Sequence, residues 1–190
     1  MQVASTKFLA IDGHGGSGKS TLAQLLAQNL NAEIIHIDDF TGVGSTDDWY
    51  LRIIEYVIDP VNEGAKKLSY PRAKWWPEHD PLPVKDQAVT PIMIIEGVGS
   101  FRRELRDYMS LKIFVETPRE ICIARGLDRD RGMGGKTDEE ILAMWQQWLL
   151  WDDEYFARDK PTSHADYVVD GTKSFDSAVQ AIMKNRAVAP

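Results

Sequence analysis

Apolar positions in this chain fall into short continuous runs that alternate with longer periodic stripes, and the alternation predicts an order of elements. Phe8-Leu9-Ala10-Ile11 is a continuous apolar run closed by Asp12 and a glycine-rich stretch, the pattern of a buried strand. From Thr21 to Leu30 the leucines stand at 22, 25, 26 and 30, one face of a helix. Glu33 to Ile37 reads as a second strand, with Asp38 and Asp39 at its C-terminal end. Asp48 to Val61 has helical periodicity, opened by an acidic cap and closed around Pro60. Pro91 to Ile95 is a third strand that ends in Glu96-Gly97, Arg102 to Tyr108 a helix, and Leu111 to Val115 a fourth strand. Pro118 opens a helix over Arg119 to Leu127, because proline is favoured in a first helical turn. Thr137 and Glu140 have capping-box spacing, which starts a helix running to about Ala157. Tyr167 to Val169 is a last strand and Ser174 to Asn185 a closing helix. Strands alternating with helices in this way predict an α/β fold, a three-layer α/β/α domain on a five-stranded parallel sheet.

Two stretches break the pattern. Residues 64–91 hold five of the nine prolines together with Tyr70, Trp75 and Trp76, and read as an irregular segment with room for a short hairpin. A structureless loop of that length in one domain is usually functional. Asp128 to Lys136 (DRDRGMGGK) is basic and glycine-rich and reads as a loop. Neither stretch resembles a linker, so 1–190 reads as a single domain.

Composition narrows the function classes. With 43% hydrophobic and 27% charged residues, 190 residues are ordinary globular usage and enough to bury a core. The formal charge of −7 makes a general binder of nucleic acid or of an anionic membrane surface a poor reading, since both need a basic footprint. No apolar run approaches the roughly 20 residues that span a bilayer, and no signal-peptide pattern is present. A single cysteine, Cys122, forms neither an internal disulfide nor a zinc cluster. The cytoplasm is the expected address. Within the acidic average, seven of the eleven arginines fall between Phe101 and Arg131. Arg102, Arg103, Arg106 and Arg119 fit solvated helix faces, whereas Arg125, Arg129 and Arg131 lie in or beside the glycine-rich stretch.

Gly13-His14-Gly15-Gly16-Ser17-Gly18-Lys19-Ser20 matches the phosphate-loop pattern GxxxxGK[ST] in full, after a predicted strand and at the opening of a predicted helix. The chemistry explains the spacing. Gly13, Gly15, Gly16 and Gly18 let backbone N–H groups curl round phosphates, with Ser17 and Thr21 in the same turn. The helix N-terminus adds positive partial charge, Lys19 reaches the β/γ-phosphates, and the Ser20 hydroxyl ligates Mg²⁺. A nucleoside triphosphate and Mg²⁺ are therefore the expected cofactors, and the absence of a guanine-reading NKxD motif argues against a GTPase. Ligands of an open α/β sheet bind outside the carboxyl ends of its strands, where Asp38, Asp39 and Glu96 lie. A hydroxyl acceptor needs one carboxylate to orient it and take its proton, and Mg²⁺ needs another. Either member of the Asp38-Asp39 pair could serve, the other capping the turn. His14, His36, His79 and His164 show no metal-ligand spacing. Trp145, Trp148 and Trp151 recur every three residues and are expected in the core.

These motifs, taken in order, resemble the uridine kinase-like family of P-loop nucleoside kinases, near relatives of the nicotinamide riboside, pantothenate and phosphoribulose kinases. The resemblance rests on Ile11-Asp12-Gly13 running into the phosphate loop, on Ile37-Asp38-Asp39-Phe40, and on Ile94-Ile95-Glu96-Gly97-Val98. It implies that Asp38 is the catalytic base, that Glu96 helps place Mg²⁺, and that an arginine-rich lid covers about residues 126–137. Arg125-Gly126-Leu127-Asp128-Arg129-Asp130-Arg131-Gly132 has that lid's composition with a shifted spacing. It implies ATP-phosphate contacts from Arg129 and Arg131, with Arg125 on the substrate. An acceptor-side insertion over about 41–90 would bring Asp48 to the ribose hydroxyls and Tyr70, Arg72 and Trp75 to the acceptor. The implied reaction moves the γ-phosphate of ATP to a small-molecule hydroxyl, first of all the 5′-hydroxyl of uridine or cytidine. Nicotinamide riboside, pantothenate, a sugar or a nucleoside monophosphate as acceptor stays open, as does a regulatory ATP-binding module without turnover.

Overall fold

The structure, a computed structural model, describes residues 6–42, 47–73 and 83–188. Its organising strand is β1 (Lys7–Asp12), whose side chains alternate between two apolar layers as the period of a strand requires. Leu9 and Ile11 face Leu22, Leu26, Phe175 and Ile182, while Phe8 and Ala10 face Ile53, Val57, Phe101 and Phe114. The first layer is carried by α1 (Lys19–Leu30) and α6 (Asp176–Met183). On the other face lie α2 (Trp49–Ile53), a π-helical turn at Ile54–Ile58 and α3 (Asp59–Asn62).

The remaining strands of the sheet are β2 (Glu33–His36), β5 (Ile92–Glu96), β6 (Met109–Glu116) and β7 (Tyr167–Asp170). Their order is β2-β5-β1-β6-β7, and every pairing is parallel. This is the five-stranded parallel sheet the sequence predicts. Register aligns the strand ends that carry chemistry: Ile11 pairs with Glu96, and His36 pairs with Glu96. Between β2 and β5 in sequence, β3 (Lys67–Pro71) and β4 (Val84–Ala88) form a separate antiparallel hairpin, with Tyr70 opposite Lys85.

Two elements differ from the sequence reading. Arg102 to Tyr108 is not a helix but a turn with a short 3₁₀ piece at Arg106–Tyr108, tied down by Arg102 on Asp47 and Glu104, Arg103 on Asp159, and Arg106 on the Phe101 and Asp159 carbonyls. The helical run expected over Asp48 to Val61 ends at Asn62, as the sequence predicts, with Pro60 accommodated in the first turn of α3. Most consequentially, Asp128 to Met133 is not a loop: α4 runs from Arg119 to Met133 and ends only at Gly134. The long α5 (Asp138–Asp159) then starts on the predicted Thr137–Glu140 capping box. Among the described residues no helix is long and apolar enough to cross a membrane.

Candidate active site at the carboxyl edge of the sheet

The chain leaves β1 through Gly13, and it can do so only without a side chain. A Cβ at Gly13 would meet the Val115 carbonyl oxygen at 2.5 Å, with φ at +142°. From there Gly13 to Thr21 forms one turn that opens α1 at Lys19 with no side-chain cap, leaving the first N–H groups of the helix for an anion. The buried Lys19 curls back so that Nζ donates to the His14 carbonyl at 3.0 Å. Ser20 and Thr21 lie exposed on the first turn. Above this turn lies α5. The Trp145 ring is 3.4 Å from where a Cβ at Gly15 would stand, and the His14 ring stacks on Phe156 with 4.1 Å between centroids.

Next to the phosphate loop, β2 and β5 deliver their acids. Ser20 Oγ donates to Glu96 Oε1 at 3.1 Å, and His36 Nδ1 lies 2.8 Å from Oε2 of the same carboxylate. Burial works to raise the Glu96 carboxyl, but the His36 hydrogen bond, the Lys19 charge and Ser20 outweigh it and hold it below its ordinary range. Asp38 is different. It is open to solvent yet closely walled by protein, and loss of hydration, with the nearby Glu96 charge, raises its carboxyl despite Lys19, His36 and Arg129. Asp39, 3% exposed, turns the opposite way. Arg72 Nε donates to its Oδ1 at 2.6 Å and Lys85 Nζ to its Oδ2 at 3.0 Å, while the Tyr70 hydroxyl lies 3.4 Å from Oδ2. The two adjacent acids thus have separate surroundings, one facing Lys19 and Glu96 and the other anchoring the hairpin.

The oxygen donors suit a hard cation. Ser20 and Glu96 supply two, and among the described residues no group of three or more His, Cys, Asp or Glu could hold an ion alone. A Mg²⁺ held here would complete its shell with water and phosphate oxygens, its usual habit.

The arginines of α4 spread out. Arg129 donates from Nε to Asp130 at 2.7 Å, and its charge reaches Asp38. Arg131 instead bridges the α4–α5 junction to Asp138 at 3.1 Å. Arg125, implied to lie on the substrate, donates to the Gly171 carbonyl at 3.0 Å. Gly171 packs so tightly under the Ser17 carbonyl that a Cβ would not fit, so Arg125 belongs to the phosphate-loop side.

On the acceptor side the correspondence is looser. Tyr70 is completely buried, its hydroxyl held between Asp39 and Gln87, and presents no surface to an acceptor. Arg72 keeps half of its side chain exposed (49%) while gripping Asp39. Asp48 is exposed at the start of α2. Trp75 lies outside the described residues, as do Trp76 and His79. Of the three tryptophans expected in the core, Trp145 is buried but Trp151 is 53% exposed. Three-residue steps fall 60° short of a full helical turn, so i, i+3 and i+6 drift off a single face.

Several members of this edge carry no motif. The wholly buried Asp12 accepts from the Gly13 N–H at 2.7 Å, from the Gly99 N–H at 3.2 Å and from the Tyr155 hydroxyl at 2.7 Å. Burial pushes its carboxyl up to about 6, against those bonds and Lys19. Arg102, only 3% exposed, lies over the rings of Trp49 and Tyr50 and donates from Nη1 to the Asp47 backbone carbonyl at 3.0 Å. The signal for Asp12 was its place directly before the phosphate loop; for Arg102 there was none beyond the arginine cluster.

Compared with known proteins, residues 63–177, more than half of the chain, match the family model described as "Phosphoribulokinase / Uridine kinase family". A uridine kinase of Borrelia turicatae (strain 91E135) is 29% identical over 154 residues, 73% of this chain and 74% of that protein. Another, of Borrelia garinii subsp. bavariensis, is 26% identical over 179 residues, 86% and 85% of the two chains. Among solved structures, a "possible uridine kinase" from Bacillus stearothermophilus superposes with a TM-score of 0.61 at 20% identity, covering 90% of this chain and 91% of that one. That likeness concerns the fold.

Proposed function

The chain belongs to the phosphoribulokinase / uridine kinase family and is a small-molecule P-loop kinase; from that premise we propose that it moves the γ-phosphate of ATP to the 5′-hydroxyl of uridine or cytidine. The observation that carries the reading is the pair of acids at one edge with divided surroundings. Glu96 is held ionised against Ser20, and Asp38, beside Lys19, is raised toward the proton affinity that suits a base.

In this reading the open N-terminus of α1 and the loop glycines take the phosphates, and Lys19 leaves the His14 carbonyl for a phosphate oxygen. Ser20 and Glu96 would hold Mg²⁺, which when bound neutralises charge on the transferring phosphate. Asp38 orients the acceptor hydroxyl and accepts its proton as the new O–P bond forms and the bond to ADP breaks. Arg129 leans toward the equatorial oxygens, where a permanently charged guanidinium stabilises developing charge. Asp48 and Arg72 remain the proposed acceptor contacts. The names of the relatives support a pyrimidine nucleoside.

A second reading, an acceptor with an anionic group, is favoured by one feature. Arg52, Arg72 and Lys85 gather around Asp39 and the hairpin base, three cations against one buried carboxylate. ADP release from ATP–Mg²⁺ across uridine, cytidine, nicotinamide riboside, pantothenate, sugars and nucleoside monophosphates tests both. Stimulation by uridine or cytidine is the expected result, stimulation only by an anionic acceptor favours the second reading, and ATP binding without acceptor-dependent turnover overturns both.

A further inference from the structure

The mechanism above leaves His36 unused, yet its imidazole is placed with more constraint than a surface residue needs. It ends β2 directly abreast of Glu96 in the parallel register. Immediately beyond, Ile37 and Gly97 are pressed together so closely that a Cβ at Gly97 would lie 2.5 Å from Ile37 Cβ. The parallel pairing of β2 with β5 holds the two strand ends side by side. The Nδ1–Oε2 distance of 2.8 Å is a short charge-assisted bond. An ionised carboxylate can only accept, so the shared proton sits on Nδ1, and Oε2 is committed to the imidazole. That leaves Oε1 as the oxygen turned to Ser20, at 3.1 Å. Without His36 the carboxylate would be free to swing both oxygens toward Lys19 or water.

We propose that His36 is the positioning residue for the metal-side carboxylate: its Nδ1–H fixes Glu96 so that Oε1 and the Ser20 hydroxyl present a preformed oxygen pair to Mg²⁺. The proposal rests on the assignment of Ser20 and Glu96 to the metal. Partners in the outer shell of a metal ligand typically account for 10–100-fold in metal affinity. Since the His36 side chain is 42% exposed, its truncation leaves the core intact.

The test is calorimetric titration of a non-hydrolysable ATP analogue into the wild-type chain, His36→Ala, His36→Asn and Glu96→Gln, each in Mg²⁺ and in EDTA. The Mg²⁺-dependent gain in affinity is the quantity read. His36→Ala should lose about 10–100-fold of that gain while its affinity in EDTA stays within about twofold of wild type. His36→Asn, whose amide nitrogen branches from Cγ as Nδ1 does, should recover most of it. Enzyme-bound Mn²⁺, read by electron paramagnetic resonance, should show the same order. If His36→Ala keeps the full Mg²⁺-dependent gain while turnover falls, the imidazole acts on Asp38 and the proposal is overturned. If Glu96→Gln also keeps it, the fault lies in the underlying metal assignment.

Discussion

Asp38 and Asp39 are neighbours in sequence with opposite surroundings, and that contrast gives the first prediction. Replacing Asp38 by Asn keeps the side chain's size and removes the proton acceptor, so ATP binding should persist while turnover falls by about 10²–10⁴; steady-state rates alongside a binding titration check it. Asp12 gives a second, in pH. Its carboxyl goes from an ordinary 3.8 to about 6 on burial, so between those values the folded chain binds more protons than the unfolded one. The contribution of this group to stability is therefore full at low pH and is lost as pH rises toward 6 and beyond. Asp12→Asn lacks that titration; its amide oxygen can keep the Gly13 and Gly99 N–H bonds made to Oδ1, but its NH2 would face the Tyr155 hydroxyl and the Phe101 N–H that donate to Oδ2, which weakens the fold at every pH. In denaturant melts the advantage of wild type over Asp12→Asn should narrow from pH 4.5 to 7, and a constant gap would rule the titration out. Side-chain chemistry of this kind was only half readable in the sequence. The phosphate loop and the strand-end acids were, because their residue types are dictated by the ligand. Which aspartate faces Lys19, and that Tyr70 is sealed behind Asp39, follows from hairpin contacts between residues more than 30 positions apart.

Helices α4 and α5 meet where the glycines mislead. Gly132, Gly134 and Gly135 made Asp128 to Lys136 read as a loop, yet α4 runs through Gly132 to Met133, and Gly126, inside the expected helix, has to be glycine because a Cβ there would sit inside the Trp145 ring. That ring is pinned by a 2.7 Å bond from its Nε1 to Asp130. Helix propensity alone says that Gly126→Ala should stabilise by up to about 1 kcal/mol. Overpacking against a fixed ring says the reverse, and a net loss of about 1–3 kcal/mol is expected in a thermal or denaturant melt. A glycine required by a tertiary contact cannot be told from one required by a turn until the partner is known. The same holds for Arg102, read as solvated and in fact 3% exposed with Asp47 and Glu104 as partners, whereas Arg103 stays half exposed as it reaches Asp159 and Arg106 donates to the Asp159 backbone carbonyl. Asp47 links Arg102 to Arg158 of α5 at the start of the helix that carries Asp48. Asp47→Ala should therefore raise the acceptor KM by about fivefold, the effect of roughly 1 kcal/mol, and leave the ATP KM unchanged.

Across the molecule the sheet order puts β1 in the centre, so the phosphate loop is flanked by β5 with Glu96 on one side and β6 on the other. This much of the architecture was readable, since buried parallel strands are continuous apolar runs and their crossovers are periodic helices. A ligand bound across several strand ends stabilises all of them together. At ATP–Mg²⁺ one hundred times its Kd, the fold should gain about 2.7 kcal/mol, seen as a raised melting temperature, and Lys19→Ala should lose most of that gain. The tight seat of the phosphate loop has a consequence for kinetics. Gly16 lies on the backbone of Cys122, leaving no room for a Cβ, and this sole thiol is 1% exposed, with burial raising its pKa. Because the thiolate is the reactive form, alkylation has to wait for the loop and α4 to part. The labelling rate of one native cysteine is thus a built-in clock for opening of the nucleotide cradle, and bound nucleotide should slow it.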